Sequence, residues 1–156
     1  MKYKYNEGGR GEHYKGLVGD CVTRAITIAT ELPYDVVYNA LFDIAKNYKG
    51  NSKLAKRIRQ RPSPRNGCYN EVSGEFLKAL NIKEVRSKLK INNPMFYEGR
   101  YIVYVRRHYI AIIDGVVHDT WDSRKTSGAY TRDETTDAPL PQWKTVTRYW
   151  KVENER

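Results

Sequence analysis

Hydrophobic residues in the first part of the chain recur at helical spacing. The first apolar stripe is formed by Val22, Ala25, Ile26 and Ala29. Asp20 is a residue type that favours helix N-caps, and Pro33 interrupts the pattern that follows. The pattern therefore predicts a first helix from about Cys21 to Glu31.

Two further helices are predicted by the same periodicity. The second lies in "YDVVYNALFDIAKNY", ends at Gly50, and has an apolar stripe formed by Val37, Leu41, Ile44 and Tyr48. The third is shorter, lies in "NEVSGEFLKALNI", and has a stripe formed by Val72, Phe76, Leu77 and Leu80. The helices thus precede the β-rich part of the chain.

From Arg100 onward the sequence "RYIVYVRRHYIAIIDGVVHDTWDSR" is dense in Tyr, Ile and Val, which favour strands. Asp114 and Gly115, flanked by apolar residues, predict a two-residue hairpin turn. An earlier strand, "YIVYV", turns at Arg106 and Arg107, and the closing "TVTRYWKV" extends the sheet. The predicted fold class is α+β, with N-terminal helices packed on an antiparallel β-sheet.

The turn fixes the register of this hairpin. Opposed pairs run from Ile113 with Val116 through Ile112 with Val117 and Ala111 with His118 to His108 with Trp121. Because side chains alternate between the faces of a sheet, one side is predicted to carry His108, Ile110, Asp119 and Trp121. His118 and Asp122 take the other side, and Asp114 belongs to the turn. Asp119 is therefore the acidic residue expected within reach of His108.

Length and composition limit the class of protein. A chain of 156 residues can bury one sizeable core, so residues 1–156 are expected to form a single compact domain. No stretch approaches the roughly 18 apolar residues of a membrane span, and the first residues lack the apolar core of a signal peptide. We therefore expect a cytoplasmic protein with no membrane partner. In that compartment Cys21 and Cys68 are expected as reduced thiols, and neither has metal-ligand spacing, so no metal or cofactor is expected.

The net charge of +10 is unevenly distributed. Residues 49–67 contain no acidic residue and seven basic ones, namely Lys49, Lys53, Lys56, Arg57, Arg59, Arg61 and Arg65. We interpret this segment as a solvated basic loop. The alternative is a surface that contacts phosphates or an acidic partner. Residues 123–143 are polar, contain prolines and lack periodicity, which predicts a second long loop.

Cys21 stands where the first helix begins, and this position alters thiol chemistry. Exposed backbone N–H groups and the positive end of the helix dipole favour thiolate over thiol. A nucleophile of this kind needs a base and a group that orients the base, which the β region supplies in His108 and Asp119. The alternative is a buried inert cysteine, a structural histidine and a carboxylate that caps a turn. Trp121 is expected to pack in the core under both interpretations.

The order of these residues resembles the papain-like cysteine peptidases: a cysteine opens the first long helix, a histidine begins a strand, and "DTW" follows one hairpin later. In that superfamily the third motif is commonly Asn-Ser-Trp, and here Asp119, Thr120 and Trp121 occupy its places. The resemblance covers about Gly16 to Ser123 and is to a small phage or bacterial member. It implies a papain-like core and a catalytic triad of Cys21, His108 and Asp119 without a cofactor.

The chain also departs from that family. Lys15 stands where papain has a glutamine that donates to the oxyanion, and Val22 replaces the aromatic residue after the cysteine. Tyr14, Lys15 and Asn6 are the side chains that could join the Cys21 backbone N–H in this role. The sequence does not choose among these three.

Three functions compete on this sequence. The leading hypothesis is a thiol hydrolase that cleaves a peptide or isopeptide bond through a thioester. Its expected substrate is a protein or peptide, acidic ones included. The second is acyl transfer by the same triad, as in the arylamine acetyltransferases. The third is a non-enzymatic protein whose basic loop binds nucleic acid or an acidic partner, and salt-dependent DNA binding that survives loss of Cys21 would favour it.

Overall fold

Four helices and six strands make up the part of the chain that the structure describes, namely residues 1–12, 19–126 and 141–153 of a computed structural model. The helices are α1 (Cys21–Thr30), α2 (Tyr34–Lys46), α3 (Lys53–Gln60) and α4 (Asn70–Ala79). The strands are β1 (Lys2–Tyr5), β2 (Glu84–Lys90), β3 (Arg100–Val105), β4 (His108–Ile113), β5 (Val116–Asp119) and β6 (Thr145–Val152). The α+β class is as predicted, and the three helices expected from periodicity are α1, α2 and α4.

The strands form a single six-stranded sheet in the order β1-β5-β4-β3-β6-β2. All neighbours are antiparallel except β1, which runs parallel to β5 with Tyr5 beside Asp119. The expectation of an antiparallel sheet was therefore wrong, because the sheet is mixed. The segment "KYKY" of β1 is too short and too exposed to show a strand pattern, and its pairing depends on a partner more than a hundred residues away.

The β4–β5 hairpin has the predicted register over the part that is paired. Ile113 lies opposite Val116, Ile112 opposite Val117, and Ala111 opposite His118. Asp114 and Gly115 both have positive φ, at 47° and 78°, as an Asp-Gly turn of this kind requires. The preceding turn at Arg106 and Arg107 places His108 at the first position of β4.

Core residues lie on both faces of the sheet. The helices cover one face, where Val22, Ile26, Val37, Leu41 and Leu77 pack with Ile102, Tyr109, Ala111 and Trp150. The second cluster contains Phe96, Tyr101, Val103, Ile110, Ile112 and Val117. The apolar stripe predicted for α1 is buried throughout, so this helix is held firmly against the sheet.

The basic segment at residues 49–67 is not the continuous loop that was expected, because it contains α3. Ser52 caps this helix by accepting a hydrogen bond from the Ala55 N–H at 3.0 Å. Ala55 and Ile58 are buried, whereas most of its basic residues face solvent. Lysine and arginine are good helix formers, and one buried pair at i, i+3 is enough to attach such a helix to a core.

The second predicted loop, residues 123–143, is described only at its two ends. There Lys125 and Trp143 form an isolated antiparallel bridge. Residues 127–140 lie outside the described part of the chain. None of the helices in the described part combines the length and the apolar character that a membrane-spanning helix requires.

Candidate active site

The three residues predicted as a triad meet where α1 begins and strands β4 and β5 end. Cys21 is the first residue of α1, His108 the first of β4, and Asp119 the last of β5. The His108 Nε2 atom lies 2.6 Å from Asp119 Oδ2. Nδ1 is therefore the ring nitrogen left for the Cys21 thiol, which is a hydrogen-bond partner of His108. The structure thus brings together all three predicted residues.

The contact between His108 and Asp119 depends on their position at the strand ends. Pairing between β4 and β5 stops at Ala111 and His118, so the predicted pairing of His108 opposite Trp121 does not form. Ile110 lies two residues after His108, within the sheet, where it shares a face with His108. It belongs to the second core cluster, whereas the residues of α1 belong to the first. Beyond the ladder, side chains can reach around the end of the sheet towards Cys21.

The Asp119 carboxylate is enclosed by donors and is only 2% exposed. Besides His108, it accepts hydrogen bonds from the Thr120 N–H at 2.8 Å, the Ser123 hydroxyl at 2.7 Å and the Arg24 guanidinium at 3.2 Å. Burial alone would raise its pKa, but the hydrogen bonds and the charge of His108 hold the pKa below the ordinary value. Asp119 therefore remains ionised and fixes the orientation of the imidazole.

Arg24 links this carboxylate to the start of α1. It lies one turn after Cys21, is 5% exposed, and pairs with both Asp119 and Asp20. Asp20 is fully buried and also binds the Arg10 guanidinium at 3.0 Å and the Tyr34 hydroxyl at 2.6 Å. Two arginines thus balance two buried carboxylates, which avoids leaving a buried charge unpaired.

Asp20 occupies the N-cap position of α1, as predicted, but its side chain does not cap the helix. Its side chain makes no capping hydrogen bond, because both oxygens are taken by the ion pairs and Tyr34. The first N–H groups of a helix have no intrahelical partner. The Asp20 side chain therefore does not occupy the first N–H groups of α1.

The electrostatic environment favours a charged Cys21 and His108 pair. Burial would raise the pKa of the Cys21 thiol, but hydrogen bonds from His108 and the Tyr109 backbone, together with the charges of His108 and Arg24, lower it overall. Burial would lower the pKa of His108, but its bonds to Asp119 and Cys21 raise that pKa to about 9. Both shifts favour the charged pair, in which an imidazolium lies beside a thiolate.

The Cys21 thiol opens onto a cleft of about 950 Å³. One wall comprises Leu54 and the segment from Gly67 to Glu71, and the other includes Tyr104, Arg107, His108, Thr120 and Trp121. Leu54 and Trp121 are 39% and 46% exposed, so each wall offers an apolar side chain to a ligand. The cleft is large enough to hold several residues of an extended polypeptide.

Trp121 does not pack in the core as expected. It is half-exposed, and its ring centroid lies 5.1 Å from that of His108. The Lys144 amine lies 4.5 Å from the same indole. Trp121 therefore shields one side of His108 from water.

The other acidic and oxyanion candidates fall outside this arrangement. Asp122 pairs with Arg124, and Asp114 accepts a hydrogen bond from the Gly99 N–H. The Asn6 side chain is committed to the Gly8 N–H and the His118 ring, at 2.8 and 3.1 Å. Tyr14 and Lys15 lie outside the described residues.

Sequence reasoning missed Arg24 and Ser123. Arg24 is the one charged residue within "CVTRAITIAT" and stands four residues after Asp20, a spacing at which ion pairs form on helices. A lone charge on a helix that is otherwise apolar was the signal that it is buried and paired. Arg10 and Tyr34 carry no comparable signal, since tertiary packing alone brings them to Asp20.

In the part of the chain that the structure describes, no three or more His, Cys, Asp or Glu side chains are grouped so as to hold a metal ion. Comparisons with protein families, with curated proteins and with solved structures found no match to this chain.

Proposed function

We propose that this protein is a cysteine-dependent hydrolase with a papain-like core, which cleaves a peptide or isopeptide bond through a thioester on Cys21. The observation that carries the proposal is the grouping of Cys21, His108 and Asp119 on an open cleft, with His108 Nε2 2.6 Å from Asp119 Oδ2 and the Cys21 thiol interacting with the same imidazole. Nucleophile, base and orienting carboxylate are the three roles that such catalysis needs.

Acylation begins with the charged pair. The Cys21 thiolate attacks the carbonyl carbon of the scissile bond, and the negative charge moves to the carbonyl oxygen. The N–H groups at the start of α1, which the Asp20 side chain does not occupy, donate to this oxyanion. His108 then gives its proton to the leaving nitrogen, the C–N bond breaks, and the thioester remains on Cys21.

Deacylation returns the site to its starting state. His108, now neutral, takes a proton from a water molecule, and the resulting hydroxide attacks the thioester carbon. The C–S bond breaks, a carboxylic acid leaves, and the thiolate and imidazolium are restored. An amine in place of water would give acyl transfer by the same steps. Operation in the cytoplasm would keep Cys21 reduced.

Asp119 and its partners hold the base in place during both steps. The carboxylate binds Nε2, so the opposite nitrogen stays directed at the thiol and the leaving group. Arg24 and Ser123 fix the carboxylate in turn. Such preorganisation is the usual contribution of residues that surround a triad.

A covalent probe tests the proposal without knowledge of the substrate. A peptidyl vinyl sulfone should add once to the wild-type protein, and peptide mapping by mass spectrometry should place the adduct on Cys21. Cys68→Ala should label as fast as the wild type, whereas His108→Ala should label at least ~100-fold more slowly. Equal labelling of both cysteines, or unchanged labelling in His108→Ala, would contradict the proposal. Acyl transfer and hydrolysis are then distinguished by incubating the protein with a peptide ester and a primary amine. Mass spectrometry of the products shows whether the acyl group is transferred to the amine or to water.

A further inference from the structure

A second depression adjoins the cleft that contains Cys21. This depression has a volume of about 390 Å³ and is lined by Arg61, Ser63, Asn66, Gly67, Cys68 and Tyr69. The last three residues also line the cleft, so the two spaces share a wall. A chain lying across Cys21 can therefore extend over the segment from Gly67 to Tyr69 and place a side chain beside Arg61.

The lining of the depression suits a carboxylate. It contains no acidic side chain, and Arg61, Ser63 and Asn66 carry a guanidinium, a hydroxyl and an amide that can donate hydrogen bonds. Arg61 is exposed, and no carboxylate of residues 1–12, 19–126 or 141–153 forms an ion pair with it. Ser63 is held in place by a 2.8 Å hydrogen bond with the Tyr38 hydroxyl.

The arrangement of α3 strengthens the positive potential on this side of the cleft. Arg57 stands three residues after Leu54 and therefore lies on the same face of α3, whereas Arg61 follows directly after the last residue of the helix. Leu54 itself lines the cleft. Lys56 is also exposed but falls on the other side of the helix. The basic segment is thus divided into a part that faces the cleft and a part that does not.

We infer that the substrate is an acidic polypeptide and that the depression is a subsite in which Arg61 binds an Asp or Glu side chain. This inference rests on the proposed function. A polypeptide fits better than a nucleic acid, because the subsite adjoins the cleft that contains the Cys21 thiol. In the proposed reaction this thiol attacks an acyl carbon, and a nucleic acid presents no acyl carbon. Arg57 adds to the attraction without needing direct contact.

Matched covalent probes test the subsite. Peptidyl vinyl sulfones are prepared with Gln throughout, and then with one Glu at each of three positions on either side of the reactive group. At one position the Glu probe should label Cys21 about fivefold faster than its Gln counterpart at low ionic strength. Arg61→Gln should abolish this preference, and Arg61→Glu should transfer it to a probe with Lys at that position. Lys56→Gln is the matched control and should retain the Glu preference.

The probe with Gln throughout separates this inference from the proposed function. It should label Cys21 equally in the wild type and in the control Lys56→Gln, and these two proteins and Arg61→Gln should all show the same thermal unfolding. Equal rates for Glu and Gln probes at every position would overturn the subsite while leaving the thiol hydrolase intact. A preference that persists in Arg61→Gln, or that Lys56→Gln removes, would also overturn it. Failure of the Gln probe to label Cys21 would contradict the hydrolase and the subsite together.

Discussion

Cys21 and Cys68 line the same cleft but differ in chemistry. Cys21 begins a helix and lies near the positive charges of His108 and Arg24, which lower its pKa against the effect of burial. Cys68 follows the turn at Gly67, and burial together with the charge of Cys21 raises its pKa to about 12. Both thiols are partly buried, so access alone does not distinguish them. The surroundings therefore shift the pKa values of the two thiols in opposite directions.

The first prediction measures this difference directly. At pH 6 iodoacetamide should alkylate Cys21 at least ~30-fold faster than Cys68, because only the thiolate reacts and the pKa of Cys21 is lowered whereas that of Cys68 is raised to about 12. Rates are obtained from the mass of the peptide that carries each cysteine, sampled over time. In His108→Ala the ratio should collapse, since the main partner of the Cys21 thiolate is lost. A ratio near one in the wild type would refute the activated thiolate.

The second prediction concerns the carboxylate that supports Cys21 through His108. Asp119→Ala should slow the reaction of Cys21 with a vinyl sulfone about 100-fold by releasing the imidazole, whereas Asp119→Asn keeps a hydrogen-bonding group and should retain part of the reactivity. Asp122→Ala is the matched control, since Asp122 pairs with exposed Arg124, and it should have little effect. The rate of vinyl sulfone addition to Cys21 serves as the assay. A larger loss in Asp122→Ala than in Asp119→Ala would exclude the observed arrangement.

Local signals in the sequence were sufficient to predict the elements that carry the triad. Apolar spacing and Asp20 at the N-cap position placed the start of α1 at Cys21, and the Asp114-Gly115 turn set the register of β4 and β5. Both signals involve only residues close together in the chain, so they can be identified without knowledge of the tertiary structure. The contact between His108 and Asp119 follows from them, although it forms beyond the paired ladder rather than within it.

What the sequence did not predict depends on long-range packing. The parallel pairing of β1 with β5, the burial of Arg24 between two carboxylates, and the exposure of Trp121 are set by segments far apart in the chain. α3 was missed for a different reason, because its charge density was interpreted as a loop despite a good cap at Ser52. Charge indicated exposure correctly but said nothing about backbone conformation.

The third prediction tests Arg24 as a positioning residue for this site. Arg24→Met removes one partner from each of two buried carboxylates, which should cost about 3–5 kcal/mol of unfolding free energy. It should also lower Cys21 alkylation at pH 6 about tenfold, because the Arg24 charge helps to lower the thiol pKa. Lys151→Met, which breaks only the exposed pair with Glu153, should cost less than about 1 kcal/mol.

Urea unfolding and the pH profile of alkylation separate the two roles of Arg24. A purely structural residue would lower stability and leave the alkylation midpoint of the folded protein unchanged. A shift of that midpoint to higher pH is the expected result. An unshifted midpoint in Arg24→Met would remove Arg24 from the electrostatics of Cys21.

The last prediction uses pH to separate the thiolate from the imidazolium. The pKa of His108 is raised to about 9, so its proton is present below that pH and is lost as the pH rises through it. Cleavage of a peptidyl p-nitroanilide needs this proton for the leaving nitrogen and should fall about tenfold per pH unit above 9. Cleavage of the matching p-nitrophenyl ester should change less than about twofold there, because its leaving group departs without protonation and the thiolate persists. A parallel loss of both activities would show that unfolding, rather than His108, sets the alkaline limit. In Asp119→Asn the anilide limit should move to lower pH, because the carboxylate charge that raises the His108 pKa is gone.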